Sequence, residues 1–566
     1  MRSTVLGISF SASLAVACAA TPSASSGGAP PDALGGPPLR ATGAVVHARV
    51  WTGDAKNPWA EAVAWHGERI IAVGSDAEIA RLVAPGVTPM DARGEMVVPG
   101  FIDSHVHFVW GGAARSAVQL HEVRSKADFV AAVAAYARGV PSGAWILNGM
   151  WDHTHWGGEL PDRAWIDAST PNNPVWLQRV DGHMALANSA ALRAAGITRD
   201  TKDVAGGTIV RDATGEPTGI LKDNALALVE RAVPPPMPEM SDRALDAAMK
   251  YVASNGVTSV TSMGSWEDLA TFERARTKRA LITRVYAVVP LETWERLKGE
   301  VASRGRGDSW VRIGGLKGFA DGSLGSHTAS MLAPFSDAHG GTGLVVTPDA
   351  DLYARVDGAD AAGLNVMIHA IGDRANRTVL DVYERVAREH GAKDRRFRIE
   401  HAQHLSPDDV ARFGALGVIA SVQPYHCIDD GRWAESVIGA ERAKTTYAFR
   451  ALLDTHATLA FGSDWPVAPP TPLDGIYAAV TRRTLDGAHP SGWTPEQKVS
   501  VEEALRAYTW GGAYASFEEG EKGTLEQGKL ADVTIVDRDL TKVAPETIAD
   551  AKIVATIVGG RVVYRR

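Results

Sequence analysis

Short apolar runs alternate with longer amphipathic stretches through most of the middle of the chain. An apolar run of about four to eight residues predicts a buried strand, and a periodic stretch of about ten or more predicts a helix. Strands that alternate with helices are typical of a parallel sheet, and eight of them can close a barrel. The candidate strands are Phe101–His105, Val257–Thr261, Ile282–Val288, Ile313–Phe319, Asn365–His369, Phe397–His401, Val418–Val422 and Thr458–Gly462. The clearest helical intervals are Asp242–Asn255, Asp373–His390 and Ser406–Leu416.

The two ends of the chain have a different pattern, in which apolar and polar residues alternate over short runs separated by turns. This pattern covers residues 41–98 and returns in residues 511–566, where the two runs are Lys529–Asp537 and Ile553–Tyr564. Short strands at this spacing indicate a small β domain. We therefore predict a TIM-like (β/α)8 barrel over residues 99–510, inserted into a small β-sandwich domain that is formed by both termini.

Residues 145–235 interrupt the alternation and are rich in Trp, Pro, Gly and Asn. We predict that they form an inserted subdomain over the barrel mouth. Aromatic residues near a site often shape an apolar pocket, and from this group we select Trp151 and His153 as substrate contacts. The alternative is that these aromatic residues form the subdomain's own core. His153-Thr154-His155 places two imidazoles two residues apart, but its surroundings do not repeat the barrel pattern, so we predict no metal there.

The first residues have the character of a targeting segment. Arg2 precedes an apolar run, Val5–Ala17, that is too short to span a bilayer as a mature helix. The run ends in Leu14-Ala15-Val16-Ala17-Cys18, which resembles a bacterial lipoprotein signal and predicts a signal peptide over residues 1–18. Leucine is commoner than alanine at the second of these positions, so plain cleavage near Ala20 is the alternative.

Residues 19–40 are rich in Ser, Gly, Pro and Ala, and this composition predicts a flexible linker. We therefore expect an exported protein, periplasmic or on the outer cell surface, with a lipid anchor at Cys18 as the membrane contact. Cys427 is the one other cysteine, so no internal disulfide can form once Cys18 is removed or acylated.

Composition and charge narrow the class of function. The chain has 566 residues, of which 45% are hydrophobic and 22% charged, and its formal net charge is −8. These values are ordinary for a globular protein with a large core. Mild acidity without a basic tract argues against nucleic acid as a partner. Dimerisation, which is common among barrel hydrolases of this size, stays open because no stretch marks an interface.

The candidate chemistry begins at the first barrel strand, where an apolar run and a Pro99-Gly100 step lead to Asp103-Ser104-His105-Val106-His107. Residues i and i+2 of a strand point to the same face, so the two imidazoles project together. The carboxyl ends of barrel strands meet at one face, where barrel enzymes place their active sites. Four histidines and one carboxylate there suffice for two divalent ions, with zinc preferred. The polar residues at these ends are His105, His107, Lys317, His369, His401 and Asp464.

Lys317 needs a separate explanation, because a free ammonium group would repel metal ions. As a carbamate formed with carbon dioxide, the same side chain becomes an anionic ligand that can bridge two ions. The alternative is an ordinary ion pair between Lys317 and Asp321.

Several ordered segments make the chain similar to a known family. It resembles the metal-dependent amidohydrolase superfamily, and within it the YtcJ-like, amidohydrolase-3 branch that includes N-substituted formamide deformylase. The resemblance covers roughly residues 41–566. Its segments are Asp181-Gly182-His183 with Asn188-Ser189, Lys317–Ser326, His369–Asp373, Glu400–Gln403, Ser421–Pro424, Gly462–Val467 and Gly523–Asp532.

The resemblance implies a set of metal ligands, namely His105, His107, carbamylated Lys317, His369, His401 and Asp464. It also directs attention to His183, Asp321 and His327 as substrate-binding candidates. For His183 the alternatives are a contact with substrate and the capping of a turn. For Asp321 they are support of the site and a place in a turn. His327 stands where the branch usually has arginine, so substrate contacts inferred from that arginine do not carry over.

The expected function is hydrolysis of a C–N bond in a small amide, an N-substituted formamide or another acyl amide, by metal-activated hydroxide. Asp464 would take the proton and pass it to the leaving amine. The first rival is hydrolysis of a cyclic amide, lactone or carbamate on the same scaffold. The second rival is a non-catalytic exported binding protein, which would keep its ligand affinity after chelation, whereas a metallohydrolase would lose turnover.

Overall fold

The structure is a computed structural model that describes residues 39–337 and 340–566. The predicted signal peptide, Cys18 and residues 19–38 of the predicted linker lie outside the described residues. Within the two described ranges, no helix combines the length and the apolar character needed to cross a membrane.

The N-terminal part of the described chain is a set of short strands. Ser75 begins the single helix of this part, and its side chain accepts from the backbone N–H of Glu78 while the Glu78 carboxylate accepts from the Ser75 backbone. A four-stranded sheet has the order β5-β4-β1-β6. The elements are β1 (Gly43–Val46), β2 (Arg49–Trp51), β3 (Trp59–Ala60), β4 (Ala62–His66), β5 (Arg69–Gly74), α1 (Asp76–Leu82), β6 (Met90–Asp91) and β7 (Met96–Pro99).

The barrel begins with β8 (Phe101–Val106), which is followed by α2 (Phe108–Ala114) and α3 (Lys126–Ala137). A five-stranded sheet with the order β12-β13-β11-β10-β9 then interrupts the barrel. Separate clusters of buried apolar residues cover its two faces. Its elements are β9 (Ile146–Trp151), β10 (Val175–Arg179), β11 (Met184–Ala187), α4 (Ser189–Ala194), β12 (Gly207–Arg211), β13 (Pro217–Asp223) and α5 (Ala227–Glu230).

The remaining barrel strands continue the parallel sheet in sequence order, so that neighbours in the chain are neighbours in space. Each predicted strand is present, with bounds that differ by no more than two residues. These strands are β14 (Val257–Met263), β15 (Arg284–Pro290), β16 (Val311–Phe319), β17 (Asn365–Ala370), β18 (Arg398–His401), β19 (Ile419–Val422) and β20 (Leu459–Phe461).

Backbone hydrogen bonds bring the two ends of this sheet together. Asp464 N–H, just after β20, donates to the carbonyl of His105 at 2.7 Å, and His107 N–H donates to the carbonyl of Trp465 at 2.8 Å. The predicted barrel is therefore confirmed. Its closure also sets two candidate ligands, His105 and Asp464, side by side.

Helices surround the barrel and cover its strands with apolar faces. In one of them Val379, Tyr383 and Val386 are buried at the spacing of an amphipathic helix, and its bounds match the predicted interval. The helices are α6 (Pro238–Ser254), α7 (Trp266–Thr277), α8 (Trp294–Arg304), α9 (Asp349–Ala361), α10 (Asp373–His390), α11 (Pro407–Leu416), α12 (Pro424–Asp430), α13 (Ala434–Ile438), α14 (Ala440–Ala443), α15 (Phe449–Asp454), α16 (Pro472–Thr481), α17 (Val501–Arg506) and α18 (Gly512–Ala515).

The chain ends with β21 (Val533–Val536), β22 (Ile553–Val558) and β23 (Arg561–Arg565), which return to the N-terminal strands. The order β23-β22-β21-β7-β2-β3 makes one sheet from both ends of the described chain. Apolar residues of this sheet and of the four-stranded sheet share one buried cluster, which confirms the predicted sandwich. Arg284 at the start of β15 joins barrel and sandwich through an ion pair with Asp532 at 2.7 Å.

Candidate active site

One cleft at the carboxyl ends of the barrel strands contains most of the predicted ligands. His107, Lys317, His369, His401 and Asp464 all line it. The sixth candidate is His105, which lies beside them and is fully buried. The strand order therefore brings the predicted ligand set together.

Asp464 connects the two histidines of the first strand. Its Oδ1 atom lies 3.3 Å from Nε2 of His105 and 3.3 Å from Nε2 of His107. Burial alone would raise the pKa of this carboxyl group, but the adjoining His105 and His107 imidazoles hold it below its usual range. Asp464 is therefore a carboxylate, the form that can bind a cation or accept a proton.

Hydrogen bonds on the far side of the rings determine which nitrogens face the cleft. Nδ1 of His105 lies 2.6 Å from Glu400, a carboxylate that also pairs with Arg398 at 2.7 Å. Nδ1 of His401 lies 2.8 Å from the amide oxygen of Gln423. In each pair the imidazole donates and the oxygen accepts, which leaves the Nε2 lone pair for the site.

His369 has the opposite orientation. Its Nε2 atom lies 3.0 Å from the backbone carbonyl of Gly322, so that Nε2 carries the proton and Nδ1 is the available nitrogen. Its ring centre is 4.5 Å from that of His401. Burial lowers the pKa of both imidazoles well below the usual value, so both are neutral, as metal ligands must be.

Lys317 lies in the strand wall between these groups. Its Nζ atom is 3.4 Å from Nε2 of His105, and burial lowers the pKa of the amine to about 8. Among the described residues, no carboxylate oxygen lies within ion-pair distance of Nζ, so the alternative pairing with Asp321 is absent.

Asp321 instead organises the loops around the site. Its carboxylate accepts backbone hydrogen bonds from Ser330 at 2.7 Å, Ile371 at 3.0 Å and Gly372 at 2.8 Å. It is fully buried and does not line the described cleft. Asp321 therefore lies outside the described cleft lining and supports the site, because its oxygens hold the segments that follow β16 and β17.

The residues present fit a bound cation. Asp464 Oδ1 is buried yet forms no hydrogen bond of acceptable geometry with any described residue, although two imidazole nitrogens surround it. Both His401 and Asp464 have left-handed backbone, with φ of 74° and 61°. Such a conformation costs about 1–3 kcal/mol in a non-glycine residue and is concentrated at functional sites. Imidazole nitrogen and carboxylate oxygen are donors that zinc and related divalent ions prefer.

His183 projects from the inserted sheet into the same cleft. Its Nδ1 atom lies 2.8 Å from Asp223, and its ring centre is 4.8 Å from that of His369. Burial would lower the pKa of this imidazole, but the Asp223 carboxylate raises it above its ordinary value. The structure therefore places His183 at the cleft, and its contact with substrate stays a prediction.

Three other predicted substrate contacts lie elsewhere. Trp151 is fully buried in the core of the inserted sheet, and its indole N–H donates to the carbonyl of Leu177 at 2.7 Å. His153 lies behind Arg179, which donates to its Nδ1 atom at 3.2 Å. His327 lies 2.6 Å from Asp337, outside the described cleft lining. Composition alone could not tell which face of a sheet or loop these residues occupy.

Arg179 and its acidic partners form the wall of the cleft opposite the ligands. The buried guanidinium group donates to Asp152 at 2.8 Å and to Asp181 at 2.7 Å. Asp181 in turn accepts from the hydroxyl group of Ser326 at 3.0 Å. This network, which was not predicted, ties the inserted sheet to the loop that follows β16.

His426 is a further residue of the cleft that was not among the predicted site residues. It follows the seventh barrel strand in Gln423-Pro424-Tyr425-His426, in the first turn of α12. The sequence feature that could have identified it is a histidine shortly after a strand end, as at the predicted ligand positions. Cys427, the next residue, is a fully buried free thiol, and burial raises its pKa to about 11.

Comparison with known sequences decides the family. The sequence profile of the amidohydrolase family, in its amidohydrolase-3 branch, matches residues 89–564. The chain belongs to this family. The resemblance inferred from the sequence is thereby confirmed, and the chain is a hydrolase of a metal-dependent superfamily.

Individual relatives cover nearly the whole amidohydrolase chain. Protein LONG AFTER FAR-RED 3 of Arabidopsis thaliana is 41% identical over 538 residues, which span 92% of this chain and 91% of that protein. N-substituted formamide deformylase of Arthrobacter pascens is 30% identical over 545 residues, 92% of this chain and 98% of that enzyme. An uncharacterized metal-dependent hydrolase from Pyrococcus horikoshii OT3 aligns in structure with a TM-score of 0.73 at 29% identity, over 89% of this chain and 99% of that one.

Proposed function

We propose that this amidohydrolase cleaves the C–N bond of a small amide, an N-substituted formamide or another acyl amide. The observation that carries the proposal is Asp464 Oδ1, a buried oxygen that forms no hydrogen bond with the described residues and lies 3.3 Å from Nε2 of both His105 and His107 at the cleft. The deformylase relative is named for the same bond type, which supports the choice of substrate class.

The groups that would hold two divalent cations, preferably zinc, are the predicted ligands. The bound cations would polarise the amide carbonyl and lower the pKa of a water molecule. The residues are His105, His107, Lys317, His369, His401 and Asp464.

Asp464 carries the proton transfer in this proposal. Its carboxylate is ionised in the resting site and takes a proton from the attacking water molecule as the oxygen adds to the carbonyl carbon. When the C–N bond breaks, the same oxygen gives that proton to the amine nitrogen, which leaves as a neutral amine. The carboxylate is thereby restored, and the atoms of water are divided between acid and amine.

Lys317 is proposed to act as a carbamate. Its neutral amine would attack carbon dioxide, form a C–N bond and release one proton. A pKa of about 8 leaves about a tenth of the amine neutral at pH 7, several hundred times the share of an ordinary lysine. The lack of a carboxylate partner among the described residues is consistent with a side chain that becomes negatively charged itself.

The walls of the cleft provide for the rest of the substrate. His183, fixed by Asp223, would donate to the substrate from Nε2 in its protonated form, which the Asp223 carboxylate favours by raising the pKa of the imidazole. Val180, Leu324 and Trp433 line the cleft away from the ligands and would contact an apolar substituent on the amide.

We also propose that the mature enzyme works outside the cytoplasm, anchored at Cys18. Mass spectrometry of the mature N-terminus tests this location. A diacylglycerol adduct at Cys18 supports the anchor, and an unmodified start near Ala20 shows plain cleavage instead.

A substrate panel tests the reaction itself. The purified chain, supplied with zinc or manganese and bicarbonate, is assayed with N-formyl amines, N-acyl amino acids, cyclic amides and aryl lactones. We expect turnover of the acyclic amides and its loss after chelation. Turnover confined to cyclic amides or lactones would contradict the proposed bond. Tight binding of an amide that persists without metal, with no turnover of any compound, would favour a binding protein.

A further inference from the structure

His426 has an unusual environment for a histidine that is not one of the predicted ligands. It lines the cleft, and its Nε2 atom is buried without a hydrogen-bond partner among the described residues. A buried polar atom without a partner is unfavourable, so one that lies at a cleft beside other donor atoms is a candidate contact for a ligand. Asp464 Oδ1 is a second atom at the cleft that is buried without a hydrogen-bond partner among the described residues.

The neighbours of His426 provide the other donors that a cation needs. The rings of His401 and His426 are nearly parallel, at 10°, with centres 6.5 Å apart. One nitrogen of His401, one of His426 and one oxygen of Asp464 all lie within 4.8 Å of one another. Because Gln423 occupies Nδ1 of His401, the nitrogen of that ring that remains available is Nε2.

The local fold explains why these donors meet. Gln423 begins α12 and holds His401, while His426 lies three residues later, within the same first turn. Residues three apart lie on one face of a helix, so one turn both orients His401 and presents His426. The left-handed backbone at His401 and Asp464 completes the approach.

We infer that His426 is a metal ligand and that it forms, with His401 and Asp464, a cation position next to the one formed by His105, His107 and Asp464. Asp464 then contributes to both positions. Ligand atoms around one zinc ion are about 3.3 Å apart, so the most distant of the three atoms, which lie within 4.8 Å of one another, would move closer by up to about 1.5 Å when the ion binds. This inference rests on the metal-dependent hydrolysis proposed above.

The test is a metal titration of four forms of the purified chain. Wild type, H426A, H426Q and the control H390Q are stripped by chelation and titrated with Zn²⁺, and bound zinc is counted after equilibrium dialysis. The control is H390Q, because His390 lies at the end of α10 and pairs with Asp357 at 3.0 Å and Asp360 at 2.8 Å, remote from the cleft. Thermal unfolding without metal shows whether the stripped variants are folded. If H426A does not fold, H426Q still gives the test, because glutamine keeps most of the side-chain volume.

The expected result is two zinc ions per wild-type chain and one in the His426 variants, or a second dissociation constant raised at least tenfold. H390Q should keep both ions. The inference is overturned if the His426 variants bind zinc like wild type. It is also overturned if wild type binds a single ion. Amide turnover by wild type in either case would leave the proposed hydrolysis intact.

Discussion

Glu400 lies 2.6 Å from Nδ1 of His105, although 295 residues separate them in the chain. The contact fixes the tautomer of a ligand candidate that is itself fully buried. Arg398 holds Glu400 in turn and reaches the carbonyl of Ser104 at 2.7 Å. Glu400 and Arg398, which do not line the cleft, therefore determine which nitrogen of His105 faces it.

Replacing Glu400 by Gln should weaken metal binding and destabilise the fold. Loss of such a supporting carboxylate typically costs about 10–100-fold in metal affinity. The buried Arg398 would also lose its counter-charge, a change that costs about 3–5 kcal/mol. Zinc titration and chemical denaturation measure the two effects.

Ser421→Ala is the matched control for Glu400→Gln, because it removes one hydrogen bond to Arg398 and leaves the Glu400–His105 contact in place. It should cost about 1 kcal/mol of stability without weakening zinc binding. Equal zinc affinity in wild type and Glu400→Gln would show that the contact does not orient the ligand.

Lys317→Ala should lose one bound metal ion if the carbamate bridges the pair. A short carboxylic acid such as acetate would then occupy the space of the carbamate and restore part of the metal content and turnover. In wild type, removal of bicarbonate and carbon dioxide before metal addition should likewise lower the amount of bound metal. Unchanged metal content in Lys317→Ala would count against the carbamate.

Asp430 should make the free energy of unfolding depend on pH. Burial, with help from the neighbouring Asp429 carboxylate, raises the pKa of the Asp430 carboxyl group to about 7. The folded state therefore holds this proton more firmly than the unfolded state. The stabilisation is complete below the ordinary pKa of about 4 and disappears as the pH rises through about 7.

In Asp430→Asn the side chain is uncharged at every pH, so the free energy of unfolding should fall less steeply between about pH 4 and 7 than in wild type. Urea denaturation across this range measures the difference. Parallel profiles for the two proteins would contradict the shifted pKa.

The barrel and the ligand set could be predicted because both depend on local pattern. An apolar run that ends in a polar residue defines a strand end, and parallel strands bring such ends to one face. His105, His107, His369 and Asp464 each follow this rule. No contact between distant segments had to be known in advance.

The residues that were missed or misplaced depend on packing between segments that are remote in the chain. Trp151 faces the core of the inserted sheet because of the register of β9 against β10, which periodicity does not reveal. Arg179 meets Asp152 and Asp181 only after the insertion folds. His426 lies in the first turn of the helix that follows β19, so a search for polar residues at the strand ends alone does not include it.

Asp464→Asn tests the central claim most directly. The amide substrate identified by the panel is assayed with wild type, with Asp464→Asn and with Asp408→Asn, a control on the exposed surface of α11. Asparagine cannot accept and return the proton, so kcat should fall by about 10²–10⁴-fold while thermal unfolding of the metal-free protein stays that of a folded chain. Asp408→Asn should match wild type. Amide turnover by Asp464→Asn at the wild-type rate would contradict the account.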